Sequence, residues 1–312
     1  MGFFNFFERN KAIYYIKNGV LDIIPRFFFQ RKLKHWVLLE KQYSEKLLSK
    51  RLNYYHNNLE KKSIPSNLTS LKKITRKNNI SMYYYDFMKI GRYFNTDFKV
   101  NYAFGDIDTN QENLTIVKSR PIHNNGNSVL LPLDKLRHFN FIEDTISFKD
   151  KKDEIVWRGV IHKENRKLLV KKFTNKKRFN VLAIQNKNKK KTGFLSIKEQ
   201  LKYKFILSIE GIDVATNLKW IMSSNSLCFM PKPRFETWYM EGELIPNFHY
   251  VLIEDDYSDV EEKMNFYSEN TDKAEEILIN AKRWTDQFKD KKLEKLVSIL
   301  VMNSYFKRTK QL

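Results

Sequence analysis

The sequence predicts an α/β protein built on a parallel, doubly wound sheet, and three observations carry that expectation. Apolar runs of strand length recur at residues 155–157, 179–184, 203–209, 226–230 and 250–253, which suits strands buried on both faces. Stretches with helical spacing lie between them, at 164–173 and about 215–223, as crossover connections require. The segment from 259 to 312 is helical throughout, with Ala274, Ile277, Leu278, Ala281, Trp284 and Phe288, then Leu293, Leu296, Ile299 and Leu300, on a repeating face.

The first half mixes both element types. Residues 38–95 show helical spacing, with Leu38, Leu39, Tyr43, Leu47, Leu48, Leu52, Tyr55 and Leu59 on one side. Pro65 after Ser63 ends that helix, and Asn67 suits the cap of the next. Residues 98–104 alternate as one strand and stop at Gly105-Asp106, and further strands are expected at 114–117 and 129–131. A chain of 312 residues suits two domains. A charged stretch at 149–154 precedes the strand restart, so the expected division is 1–150, 151–285 and a C-terminal helix over 286–312 that crosses back to the first domain. The run Lys187, Lys189, Lys190, Lys191 reads as a solvated loop.

Hydrophobic content of 42% is enough for a packed core, which excludes a disordered chain. The 57 Lys and Arg against 36 Asp and Glu leave a formal charge of +21, so the partners are anionic: nucleic acid, an acidic leaflet or a phosphate-bearing substrate. No zinc spacing, aromatic RNA-binding signature or isolated basic arm supports nucleic acid. The single Cys228, inside an apolar run, rules out an internal disulfide and reads as a buried thiol in a reducing compartment. No stretch is long and apolar enough to span a bilayer. Residues 1–36 interleave Phe3, Phe4, Phe6, Phe7, Tyr14, Tyr15, Phe27, Phe28, Phe29 and Trp36 with seven cations. That pattern suits a segment lying on an anionic leaflet, or rings packed onto the domain.

Three places gather chemistry. Trp157-Arg158-Gly159 ends a strand, with Arg166 near the start of the following helix; the glycine permits a turn, and the arginine presents a fork suited to a diphosphate or to surface carboxylates. Gly211 after the strand 203–209 permits a second turn, with Asp213 or Thr216 as the cap of a helix carrying Lys219. Asp106-Ile107-Asp108 suits either a metal site or a lone general base. Lys118, Arg120, His123, Arg137 and His138 cluster after it, and His249 is a lone histidine before a strand. Glu254, Asp255, Asp256 and Asp259 suit a turn and a helix start.

These residues, in order, resemble glycosyltransferase family 90, which holds lipopolysaccharide core transferases and protein O-glucosyltransferases. The matching runs are Phe104-Gly105-Asp106, Lys118-Ser119-Arg120-Pro121, Trp157-Arg158-Gly159 with Arg166, Lys202-Tyr203-Lys204-Phe205 with Gly211, Leu218-Lys219-Trp220, 223–231, Trp238, 244–246 and His249-Tyr250-Val251. Val160 and Asn217 stand where eukaryotic members carry a serine and an arginine, and 119–122 and 127–132 look like the bacterial branch. The resemblance implies a GT-B fold of two Rossmann-like domains and an inverting, metal-independent transfer of a hexose, glucose or galactose, from a UDP-sugar to a lipopolysaccharide core sugar. It makes Asp106 the catalytic base and sets the donor on Arg158, Gly159, Arg166, Gly211, Asp213, Val214, Ala215, Thr216 and Lys219. Lys118, Arg120 and His123 fall on the acceptor side. It also implies a peripheral enzyme on the cytoplasmic, anionic face of the inner membrane, with no nucleic acid, metal or cofactor. The rivals are a metal-dependent transferase using Asp106 and Asp108, and a non-catalytic basic nucleic-acid binder.

Overall fold

The computed structural model describes residues 11–56, 68–78, 80–123, 126–187 and 190–312. Phe3, Phe4, Phe6, Phe7, Leu59, Ser63, Pro65, Asn67 and Lys189 lie outside the described residues. In chain order the elements are α1 (Lys11–Ile23), α2 (Phe27–Gln30), α3 (Leu33–Leu38), α4 (Glu45–His56), β1 (Thr69–Ser70), α5 (Ser81–Gly91), β2 (Lys99–Val100), β3 (Tyr102–Ala103), β4 (Thr115–Val117), β5 (Ser119–Pro121), β6 (Ser128–Leu130) and α6 (Lys135–His138). They continue with β7 (Lys152–Gly159), α7 (Glu164–Phe173), β8 (Phe179–Ala183), β9 (Gln185–Lys187), β10 (Lys190–Thr192), α8 (Ile197–Gln200), β11 (Tyr203–Leu207) and α9 (Leu218–Met222). The last are β12 (Leu227–Met230), β13 (Phe235–Thr237), β14 (Val251–Leu252), α10 (Val260–Glu269), α11 (Thr271–Asp286) and α12 (Lys291–Arg308). The chain is α/β with parallel sheets, and it forms two units.

The first unit takes Met1–Asn140, Phe235–Met240 and Asp290–Leu312. Its three-stranded sheet β3-β4-β6 is wholly parallel. The expected single strand over 98–104 is instead two, β2 pairing with β1 and β3 with β4. Asn101 breaks the ladder between them: its N–H donates 2.9 Å to the Tyr305 hydroxyl, while its carbonyl accepts from Ile116. β13 pairs antiparallel with β5, putting Glu236 opposite Arg120. Helix α12 is buried on most sides, as a helix apolar around its girth must be. Its Glu294 takes hydrogen bonds from Arg51 on α4 and, at 2.5 Å, from the Trp238 indole, whose ring stacks on Tyr55 at 3.7 Å.

The second unit takes Phe141–Arg234 and Glu241–Lys289. Its five-stranded sheet runs β8-β7-β11-β12-β14, every pair parallel. In that order the winding reverses between β7 and β11, so the crevice lies beyond the carboxyl ends of those two strands. Ile155, Trp157, Phe205, Leu207, Leu227 and Phe229 from the sheet pack with Leu169 of α7 and Ile277 of α11 in one core.

Three expectations need correction here. The helix expected at about 215–223 is only α9, because the Asn217 amide donates 2.9 Å to the Leu207 carbonyl and Gly211 N–H bonds the Asp213 carbonyl, tying the segment into turns. Neither Asp213 nor Thr216 caps it: Asn217 holds the cap position, with no side-chain bond to the helix's first amides. The run around Lys187 and Lys190 is not a loop but the antiparallel hairpin β9–β10.

Candidate functional site

Parallel pairing gathers three strand ends at one edge of the first unit's sheet. Asp106 follows β3, Lys118 follows β4, and Asp134 with Arg137 follows β6. Gly105 permits the bend that delivers Asp106, since its φ of 135° is closed to residues with a Cβ. The Lys118 ammonium, fully buried, donates to Asp106 Oδ1; the Tyr83 hydroxyl donates to the same oxygen at 3.3 Å, and Arg137 Nη1 stands 4.0 Å away. Burial alone would raise the Asp106 pKa. The Lys118 hydrogen bond and charge, then Arg137 and Tyr83, outweigh it and hold the carboxyl below the ordinary carboxylate range. The group is ionised at neutral pH and keeps 29% of its side chain exposed.

Arg137 is steadied from behind by Asp134, whose Oδ2 accepts from Nη1 at 2.9 Å. Asp134 is fully buried and holds a φ of 55°, unusual for a residue with a Cβ. Desolvation raises its pKa to about 6. Sequence reasoning passed over Asp134 and Tyr83 and left Arg137 in a general basic cluster; for Asp134 and Arg137 the signal was present only as positions after a neighbouring strand, and Tyr83, on helix α5, left none.

Arg120 lies inside the unit. Its Nε donates to Glu236 at 2.7 Å, and its terminal nitrogens donate to the carbonyls of Ser128 (2.7 Å), Tyr54 (2.7 Å) and Tyr55 (3.2 Å). Lys118 is equally enclosed, whereas His123 is exposed beyond β5. The half-exposed cation beside Asp106 is Arg137.

In the second unit, Trp157, Gly159, Arg166 and Gly211 form one packed assembly. The Arg166 guanidinium lies 5.7 Å over the Trp157 ring and donates to the carbonyls of Ile209 (2.7 Å), Glu210 (3.1 Å) and Val160 (3.1 Å). It passes so close to Gly211 that a Cβ there would sit 3.0 Å from Nη2. A Cβ at Gly159 would fall 2.5 Å from Trp157 Cζ2. Both glycines therefore make room for neighbouring side chains, and the turn-forming reason expected for them is corrected; neither has a positive φ. Arg158 points along the sheet, donating to the Asn180 carbonyl and side chain at 2.6 Å each.

A hollow opens beyond the carboxyl ends of β11 and β12, one strand over from the reversal between β7 and β11. Asn165, Ser208, Glu210, Val214, Ala215 and Leu218 line one side, and Met230, Lys232, Arg234, Glu241, Asp255 and Tyr257 the other. Glu210 receives the Arg234 N–H at 3.1 Å, and Tyr257 donates to the Asn165 carbonyl at 3.1 Å. Lys219 is fully buried, its ammonium 2.5 Å from Glu241. Of the expected donor residues only Val214 and Ala215 line this space; Asp213 is buried and Thr216 exposed. Asn165, Glu210, Lys232, Arg234 and Tyr257 were not foreseen.

Residues 134–310 match the family model described as Glycosyl transferase family 90. The chain belongs to that family. It is a glycosyltransferase. It is also 38% identical over 304 residues, 95% of each chain, to "O-glucosyltransferase LpsA" of Dichelobacter nodosus. A shorter match, 31% identical over 114 residues, reaches "Uncharacterized protein 179R" of Invertebrate iridescent virus 6, covering 34% of this transferase and 9% of that protein. The family match spans the second unit's sheet and begins at Asp134, beside the Asp106 constellation. Among the described residues no helix of the transferase is long and apolar enough to cross a membrane.

Proposed function

We propose that the protein is an inverting O-hexosyltransferase, most simply a glucosyltransferase, that moves the sugar of a UDP-sugar onto a lipopolysaccharide core sugar with Asp106 as general base. The relative's printed name supports glucose and the lipopolysaccharide assignment. The observation that carries the mechanism is the Asp106 carboxylate: ionised by Lys118 and Arg137, part-exposed, and set at the carboxyl edge of a parallel sheet.

In the proposed step an acceptor O–H gives its proton to Asp106 while its oxygen attacks the anomeric carbon. The bond to the UDP oxygen breaks, its electrons leave with the diphosphate, and the anomeric configuration inverts. Lys118 is a positioning residue here, keeping the base charged and aimed. The nucleotide would occupy the second unit's hollow against Val214 and Ala215, with Lys232 and Arg234 at its rim and Arg166 behind Gly211. Cations that meet a charge growing on the diphosphate favour the transition state over the ground state. Lys219 contributes by holding Glu241, and Arg158 by fixing the edge of the sheet. This scheme calls for no metal or cofactor. The two units are read as those of a GT-B enzyme working at the cytoplasmic face of the inner membrane, and the +21 charge is assigned to phosphate-bearing substrates and lipids, not nucleic acid.

The test is Asp106→Asn. Transfer from UDP-glucose to a truncated lipopolysaccharide acceptor should vanish while the UDP-induced rise in melting temperature persists. Near-normal turnover in this variant would overturn the assignment.

A further inference from the structure

Helix α1 presents its apolar residues on the wrong side for a soluble surface. Tyr14 and Asn18 face inward, the Tyr14 hydroxyl donating 2.9 Å to Asp86. One helical step round, Ile16, Val20 and Ile23 face outward, with Ile16 67% and Ile23 82% exposed. Phe27 and Phe28 of α2, which follows at once in the chain, are both exposed, with ring centroids 3.9 Å apart. Exposed aliphatic side chains in a row at helical spacing mark a contact surface.

The charges around the ridge say what it meets. Lys11 and Lys17 on α1, and Arg31, Lys32 and Lys34 just after α2 in the chain, are exposed. The sole carboxylate in residues 11–39, Asp22, takes a hydrogen bond from Arg92 at 3.1 Å. On the other flank of α1, Gly19 and Asp22 form one wall of an open hollow whose opposite wall is Arg76, Lys77 and Tyr85. Arg76 and Lys77 are exposed, and Arg76 spends one N–H on the Tyr85 hydroxyl at 3.2 Å. So dense a cationic rim repels a second copy of itself. Outward isoleucines have no counterpart on a polyphosphate strand but fit the acyl boundary of a bilayer, where cations meet headgroup phosphates.

We propose that the α1–α2 ridge lies in an anionic lipid leaflet, with a phosphate headgroup seated in the hollow against Arg76 and Lys77. This rests on the membrane reading above and gives it a surface. The test uses the full chain and vesicles of phosphatidylcholine with or without phosphatidylglycerol, read by co-sedimentation. Anionic vesicles should bind at least about tenfold more tightly than neutral ones, and added salt should weaken the binding. Ile16→Ser/Ile23→Ser should lose about tenfold, and Arg76→Gln/Lys77→Gln should lose a similar factor and flatten the salt dependence. These side chains are solvated, so melting temperatures should stay near wild type. Equal binding to both vesicles, a ridge variant that binds like wild type, or sedimentation of the free protein as a dimer that the ridge variant breaks would each overturn the proposal. Transfer to a soluble acceptor stands apart: the ridge variant should keep it, and its absence from wild type would fail the catalytic reading and leave the vesicle result intact.

Discussion

Replacing Arg120 by Met distinguishes a buried strut from an acceptor contact. Arg120 and Glu236 are both buried, paired at 2.7 Å in the β5–β13 register, and Glu236 also accepts from the Tyr54 hydroxyl. Methionine fills much the same space but leaves Glu236 charged without its cation, and takes the donor from the carbonyls of Tyr54, Tyr55 and Ser128. Removing one partner of a buried ion pair costs about 3–5 kcal/mol. For a unit of about 170 residues each kcal/mol is about 2–4 °C, so the first unit's melting temperature should fall by roughly 6–20 °C. Arg120→Lys should fall between, because an ammonium cannot serve four acceptors in a fork. Adding Glu236→Gln to the methionine variant should recover part of the loss. Calorimetry of the full chain reads all three. A methionine variant that melts within about 3 °C of wild type while its acceptor KM rises would refute this reasoning and return Arg120 to the acceptor.

Three further expectations follow from other contacts. Lys219→Met strands Glu241 in the second unit, so that unit should lose about 3–5 kcal/mol in a denaturant titration, with Lys219→Met/Glu241→Leu recovering much of it. Gly159→Ala drives a methyl to 2.5 Å from the Trp157 ring, which must leave its place under Arg166; lower stability and weaker UDP binding should appear together in thermal-shift curves. Asp134 has a folded pKa of about 6 against an ordinary 3.8, so the folded state binds its proton more readily than the unfolded state. Its burial penalty is therefore full above pH 6 and is relieved as pH falls toward 4. The melting temperature of wild type minus that of Asp134→Asn should accordingly grow more positive from pH 7 to pH 5, and a difference that stays flat would show that Asp134 does not titrate there.

Local signals were legible and long-range ones were not. The apolar run at 155–157 and the helix Glu164–Phe173 could be read directly, because a buried parallel strand and an amphipathic helix each leave a pattern in a few adjacent residues. Strand β13 left none: Phe235–Thr237 is a strand only because β5, more than a hundred residues earlier, accepts it. The glycines at 159 and 211 stood out, but the reason lies in the Trp157 ring and the Arg166 guanidinium, which no spacing rule brings to them. Lys219 looked available for phosphate until Glu241, distant enough to be a separate motif, proved to own its charge. Asp106 was found because it ends a strand. Its partners were less visible because Lys118 and Arg137 follow neighbouring strands and Tyr83 sits on a helix.

The discontinuity of the first unit bears on how the chain is made. Arg51 pairs with Glu294, and Tyr55 stacks on Trp238, so helix α4 carries buried charge and aromatic surface whose mates are synthesised long after it. At about 5–20 residues per second, the nascent N-terminal portion waits many seconds on the ribosome before Lys291–Arg308 emerges to cover it. The stretch Phe141–Arg234, holding four of the five strands of the larger sheet, emerges within that interval. A ribosome stalled before residue 290 should therefore display an unfinished first unit, open to proteases and chaperones, and removing Lys291–Arg308 should uncover Arg51 on α4.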